Sequence, residues 1–147
     1  MRVHRSIAAP LLLLAATLFG GLGADAALAQ DPRATAAQSA ALGWLALTDN
    51  GEADASWAAA GQKLRASFDG LEKWREALAK ARAPYGKTLS RAAISTRIEI
   101  NPKDAPEGEY ATVAFDASFE KAARAGELVT MEHDSDGNWR VIGYVIR

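Results

Sequence analysis

Between Gly108 and Arg147 the chain reads Gly-Glu-Tyr-Ala-Thr-Val-Ala-Phe-Asp-Ala-Ser-Phe and then, to its end, Asp-Gly-Asn-Trp-Arg-Val-Ile-Gly-Tyr-Val-Ile-Arg. No other stretch constrains the fold as much. Its pivot is Asp134-Ser135-Asp136-Gly137. Asp and Ser suit the first positions of a type I turn, and Gly137 closes a three-residue hairpin loop by taking the left-handed conformation. Asp134 then faces Asn138, His133 pairs with Trp139, Glu132 with Arg140, Met131 with Val141 and Leu128 with Tyr144. This register sets the opposite charges of Glu132 and Arg140 across from each other.

Strand residues alternate between faces. Val129, Met131, Trp139, Val141 and Val145 fall on one side, and Leu128, Thr130, Ile142, Tyr144 and Ile146 on the other. A sheet covered on one side reads apolar-in and polar-out. Here neither side is polar throughout. If helices take the first side, Leu128, Ile142, Tyr144 and Ile146 form an outward apolar patch of the kind that marks an interaction surface. The expectation is a homodimer or a protein partner engaged through this sheet face.

The segments before Gly108 supply the cover and the remaining strand. Ala34 to Thr48 has helical spacing (Ala37, Ala40, Ala41, Trp44, Leu47) and stops at Asp49-Asn50-Gly51. A second helix is expected from Glu52 to Ser67, with Trp57, Leu64 and Phe68 on its stripe. Asp69-Gly70-Leu71-Glu72 reads as a capping box opening a third helix that carries Trp74 and Leu78 and ends at Pro84 and Gly86. The period then becomes two. Ile94, Thr96, Ile98 and Ile100 share one side of a strand, and Val113, Phe115 and Phe119 one side of the next. Helices followed by strands give an α+β domain: three N-terminal helices on one face of a curved antiparallel sheet of about four strands. The three tryptophans Trp44, Trp57 and Trp74 are expected in its core.

The first 29 residues read as a signal peptide. Arg2 and Arg5 supply the positive start, Ile7 to Phe19 the apolar run, and Ala27-Leu28-Ala29 small residues at a cleavage site, with Ala24-Asp25-Ala26 as a second. Cleavage after Ala29 leaves residues 30–147 of the 147 as one domain in the periplasm, or secreted, with no membrane contact. Losing Arg2, Arg5 and Asp25 turns 17 basic and 18 acidic residues into 15 and 17. So weak a balance argues against nucleic acid as a partner. With no cysteine, thiol catalysis and disulfide exchange are excluded.

Trp44-Leu45, Asp49-x-Gly51, Ser56-Trp57, Trp74, Pro106-x-Gly108-Glu109-Tyr110, Phe115, Phe119, Asp136-Gly137-x-Trp139-Arg140-Val141 and Gly143-Tyr144-x-Ile146-Arg147 together resemble the DUF4019 family of exported bacterial proteins of unknown function. The resemblance spans roughly residues 36–147 and is most specific in the last forty. It implies a cystatin-like or NTF2-like arrangement of helices on a curved sheet, and it carries no catalytic residues to transfer.

Little in the chain points to chemistry. His133 is the single histidine after the leader, and Asp134-x-Asp136-Gly137 lacks the later ligands of a calcium loop, so neither a metal nor a cofactor is expected. No nucleophile elbow, phosphate loop or zinc spacing occurs. An enzyme with this fold needs a buried carboxylate with a raised pKa in the helix–sheet pocket. Asp116, mid-strand in Ala-Phe-Asp-Ala-Ser, is the weak candidate, against a reading on the solvent face beside Ser118. Arg91, Glu109 and Glu127 are polar strand-end residues whose default role is ion pairing, with ligand binding as the alternative. A non-enzymatic binding or interaction module is the leading expectation, and a small-molecule acid–base enzyme the alternative.

Overall fold

The computed structural model describes residues 31–147; the expected leader and both its cleavage sites lie outside them. Helix α1 runs Pro32–Asp49, with Pro32 in its first turn and the Asp31 carboxylate accepting from the Arg33 N–H at 2.9 Å. Ala37, Ala41, Trp44, Leu45 and Thr48 are its buried stripe. The two alanines bring the helix backbone close to the sheet, and Trp44 then fills the wider space beyond them. Gly51, at φ 72°, turns the chain out of the helix.

The expected second helix is two short ones, α2 (Ala53–Ala59) and α3 (Gln62–Ala66). Between them Ala60 and Gly61 are extended, and the Gly61 N–H donates to the Val141 carbonyl at 2.8 Å. Gly61 is buried, and a Cβ there would sit 2.9 Å from Ile142 Cγ2 and 3.3 Å from the Val141 oxygen. The break exists because the backbone approaches a strand edge closer than any side chain permits. Helix α4 (Gly70–Arg82) buries Trp74 and Leu78. The expected capping box does not form. Asp69 makes no side-chain cap, Gly70 enters the helix at φ 85°, and Glu72 pairs with Arg75 instead.

Four strands follow, β1 (Thr88–Ile100), β2 (Glu109–Phe119), β3 (Ala122–His133) and β4 (Trp139–Ile146), in an antiparallel meander of that order. The α+β architecture is the expected one, with four helical segments in place of three. On β2 and β3, Val113, Phe115, Ala117, Phe119, Ala125, Val129 and Met131 are buried against the helices. Thr112, Ala114, Asp116, Leu128 and Thr130 alternate onto the outer face and are half-exposed. At the last hairpin the Asp134 N–H meets the Asn138 carbonyl at 2.8 Å and Gly137 has φ 84°, as the turn residues predict.

The register expected beyond that hairpin is corrected. Met131 pairs with Val141 but Thr130 pairs with Gly143, so Ile142 is a β-bulge. One extra residue inverts the faces after it. Tyr144 lies opposite Val129, not Leu128, and Ile146 lies opposite Glu127; Leu128 has Val145 for its partner. A second bulge, at Ile94, takes that residue off the side shared by Thr96 and Ile98 and leaves it 66% exposed. Trp44 and Trp74 are core as expected, whereas Trp57 is only partly buried against it.

Candidate functional site

The space between helices and sheet holds one polar cluster. Asp49 comes from the end of α1, Arg82 from the last turn of α4, Thr88 and Arg91 from β1, Glu127 from β3 and Tyr144 from β4. Glu127 is in phase with Val129 and Met131 on β3, so the alternation that buries those two also buries a carboxylate. Arg91 sits opposite Ala117, itself on the covered face of β2, and is brought inward the same way. Tyr144 points inward because of the Ile142 bulge.

The contacts close on themselves. Arg91 forks onto Glu127 (Nε to Oε2 2.5 Å, Nη2 to Oε1 3.0 Å) and onto Asp49 (Nη1 to Oδ2 2.7 Å, Nη2 to Oδ1 3.0 Å). Arg82 donates to Asp49 at 2.7 Å, to Thr88 Oγ1 at 2.8 Å and to the Tyr144 hydroxyl oxygen at 3.1 Å. Thr88 donates to Asp49 at 2.8 Å, and the Tyr144 O–H donates to Glu127 at 2.7 Å. The Glu127 side chain is fully enclosed, and those of Arg91 and Arg82 are 9% and 11% exposed. Two guanidinium groups face two carboxylates, so the cluster is neutral, and among the described residues no buried side-chain polar atom lacks a partner.

Burial pushes the Asp49 carboxyl up, but hydrogen bonds from Arg91 and Thr88 and the charges of both arginines pull it further down, to below its usual 3.8. Burial, then the charge of Glu127 and the hydrogen bond to it, push the Tyr144 hydroxyl upward, so it remains a proton donor. A general acid needs a carboxyl raised toward neutrality. Asp49 is shifted in the opposite direction. Because its folded value is depressed, its stabilisation is complete above the unfolded value and is lost as pH falls through the folded one. Asp49→Asn is therefore expected to lower the urea midpoint at about pH 6, and the difference from the wild type is expected to shrink as pH falls below the ordinary carboxylate range. Parallel curves over that range would mean that Asp49 is not held by the arginines.

Beside the cluster the interior is packed around aromatic rings, and an open pocket of about 170 Å³ is left between α1 and the sheet, lined by Trp44, Leu47, Met131 and Val141. The Trp44 ring lies 5.5 Å from Tyr144 and 5.9 Å from Trp74 between centroids. Trp44 Nε1 donates to the Ser56 carbonyl at 2.9 Å, and Trp74 Nε1 to Ser56 Oγ at 3.0 Å. An open cleft of about 400 Å³ lies outside the cluster; it is lined by Thr48, Gly51, Ala53 and Leu78 and reaches Asp49 and Arg82.

Asp116 is on the outer face, where both its oxygens accept from Arg124 Nε at 3.0 Å. Its hydrogen bonds and ion pair go to Arg124, outside the cluster, although a shallow pocket on that face also reaches Arg91. Of the four residues expected to form an outer patch, Leu128 and Ile142 are on or beside that face. Tyr144 belongs to the interior, and Ile146 packs beside Ala117, Phe119 and Ala125 on the helix side. The expected grouping is thus corrected: the bulge separates two of its members from the other two. The outer face instead carries Val145, 51% exposed, beside Leu128. A groove of about 370 Å³ runs across it between the β1–β2 loop and α3, lined by Lys63, Pro102, Tyr110, Thr112, Thr130 and Ile142. His133 stacks on Trp139 at 5.0 Å. Arg91 and Glu127, read from sequence as ion-pairing residues, do pair; Asp49, Arg82, Thr88 and Tyr144 were not anticipated in the cluster.

A family model described as protein of unknown function, DUF4019, matches residues 40–144. No curated protein matches the chain. Among solved structures, Aln2 from a Streptomyces species is similar at a TM-score of 0.50 and 12% identity, over 80% of this chain and 91% of that one. A ketosteroid isomerase-like protein from Erwinia carotovora atroseptica aligns at 0.45 and 12%, over 79% and 95%. At such identity the likeness to Aln2 is one of fold alone.

Proposed function

We propose that this chain, which belongs to the DUF4019 family, works as an exported, periplasmic, non-enzymatic binding or interaction module. The observation that supports this most is the closure of the interior polar cluster on itself. The space where an enzyme of this shape would hold substrate is occupied by Trp44, Trp74 and Tyr144, and every ionisable group there is bonded to another. A general base needs a free lone pair and room for a substrate beside it. Glu127 is fully enclosed, with no room beside it, and Asp49 is bound by three donors. Recognition then falls to the open surfaces: first the outer face of the sheet, with Leu128 and Val145 on it and the groove at Lys63, Tyr110 and Ile142, and second the cleft that reaches Asp49 and Arg82. Export is inferred from the leader-like sequence of residues 1–29.

Protein recovered from the periplasm tests the reading in one preparation. Its presence in that fraction tests export, its intact mass is expected to lack residues 1–29, and a mass retaining them contradicts cleavage. Fractionated periplasmic extract is then titrated into the isotopically labelled protein. Amide shifts confined to Leu128, Thr130, Gly143 and Val145 support the module. Shifts centred on Asp49, Arg91, Glu127 and Tyr144 support the acid–base enzyme instead.

A further inference from the structure

The two edges of the sheet are not treated alike. The free side of β4 receives the Gly61 N–H at Val141. Among the described residues no backbone group pairs with the free side of β1. This strand is 13 residues long and contains neither proline nor lysine, two of the devices that blunt an exposed edge. Its first half is irregular, with bulges at Leu89 and Ile94. From Ser95 to Ile100 it pairs with β2 without interruption, so its other side is a regular row of donors and acceptors. Ile94 and Ile100, at the two ends of that row, are 66% and 56% exposed.

The residues of the row are self-complementary. In an antiparallel pair related by a two-fold axis through Ile98, Arg97 of each copy faces Glu99 of the other on the outer side. On the helix side, Ile98 faces its own copy and Thr96 faces Ile100. A shift of two residues either way sets Arg97 against Arg97 or Glu99 against Glu99. An odd shift places helix-side residues opposite outer-side ones. Charge and parity therefore select one register. The Arg97 and Glu99 side chains are 75% and 39% exposed and meet at 2.9 Å within one copy, so the pair can exchange that contact for the same one across the seam.

We propose that two copies of this chain join through Ser95–Asn101 of β1, antiparallel about Ile98, making one eight-stranded sheet from two four-stranded ones. The seam lies at the β1 edge, takes in Glu99 from the rim of the groove at Lys63 and Tyr110, and leaves Leu128 and Val145, on β3 and β4, open. Sedimentation equilibrium of the mature protein is expected to approach twice the monomer mass as concentration rises. Arg97→Glu alone and Glu99→Arg alone each replace two attractions with two repulsions and are expected to weaken the dimer about tenfold or more. The double variant Arg97→Glu, Glu99→Arg keeps the complementarity and is expected to restore it. Circular dichroism confirms that each variant is folded. A wild type that stays monomeric up to about 1 mM overturns the proposal, and so does a dimer indifferent to both single reversals.

Discussion

Glu127→Gln is expected to destabilise the protein by about 3–5 kcal/mol, the range for breaking one partner out of a buried ion pair. The glutamine occupies the same volume, so packing is nearly unchanged and the effect is electrostatic. Glu127 now accepts from Arg91 on both oxygens and from Tyr144 on one, with Arg82 3.7 Å away. The amide turns one acceptor into a donor, which must face either the Arg91 guanidinium, a donor only, or the Tyr144 hydroxyl, whose bond to Glu127 is then lost. It also leaves two guanidinium groups sharing the single charge of Asp49. A buried cation without its counter-charge carries most of the cost. Urea denaturation monitored by circular dichroism measures it, and a loss under about 1 kcal/mol would show that the cluster is hydrated.

Trp44→Ala is expected to cost a similar amount, about 3–5 kcal/mol, through a different mechanism. Trp44 is 4% exposed and holds α1 against Trp74, Tyr144 and the Ser56 carbonyl at once. Its removal opens a cavity walled by rigid groups: two aromatic rings and a helix already pressed onto the sheet through Ala37 and Ala41. Such a site collapses little, so the cavity term is retained in full. Apolar cavities of this kind take up small aromatic molecules. Indole is therefore expected to raise the urea midpoint of Trp44→Ala and to leave the wild type unchanged. Binding of indole by the wild type would mean that the interior is open.

The sequence carried much of this in its periodicities. The helices, the last hairpin and the strands were legible because apolar spacing changes from 3.6 to two near Lys87, and because the turn residues at 134–138 admit one geometry. Glu127 and Arg91 read as ion-pairing because they are charged residues near strand ends; that they point inward, in phase with buried neighbours, is visible in the structure. The Ile142 bulge was not legible, because alternation locates a bulge only where one face is polar. Val141, Ile142, Tyr144, Val145 and Ile146 are apolar on both faces, and Gly143 was the sole hint of irregularity. The placement of Tyr144 went with it. Asp49 was read as a helix stop, and its partner Arg91 lies 42 residues away, a separation that no local pattern spans. The break at Gly61 depends in the same way on a strand edge 80 residues downstream.

That the polar groups between helices and sheet are held for one another, and not for a substrate, is tested most directly by the coupling between Arg91 and Glu127. Arg91→Met, Glu127→Gln and the double variant, compared with wild type by urea denaturation, give that coupling free of the separate cost of each change. A structural pair predicts that each single variant is strongly destabilised and that the second substitution costs far less than the first, with a coupling of about 2 kcal/mol or more. Groups kept for chemistry are commonly held at the expense of stability. A Glu127→Gln protein as stable as the wild type or more so, with a coupling near zero, would contradict the account.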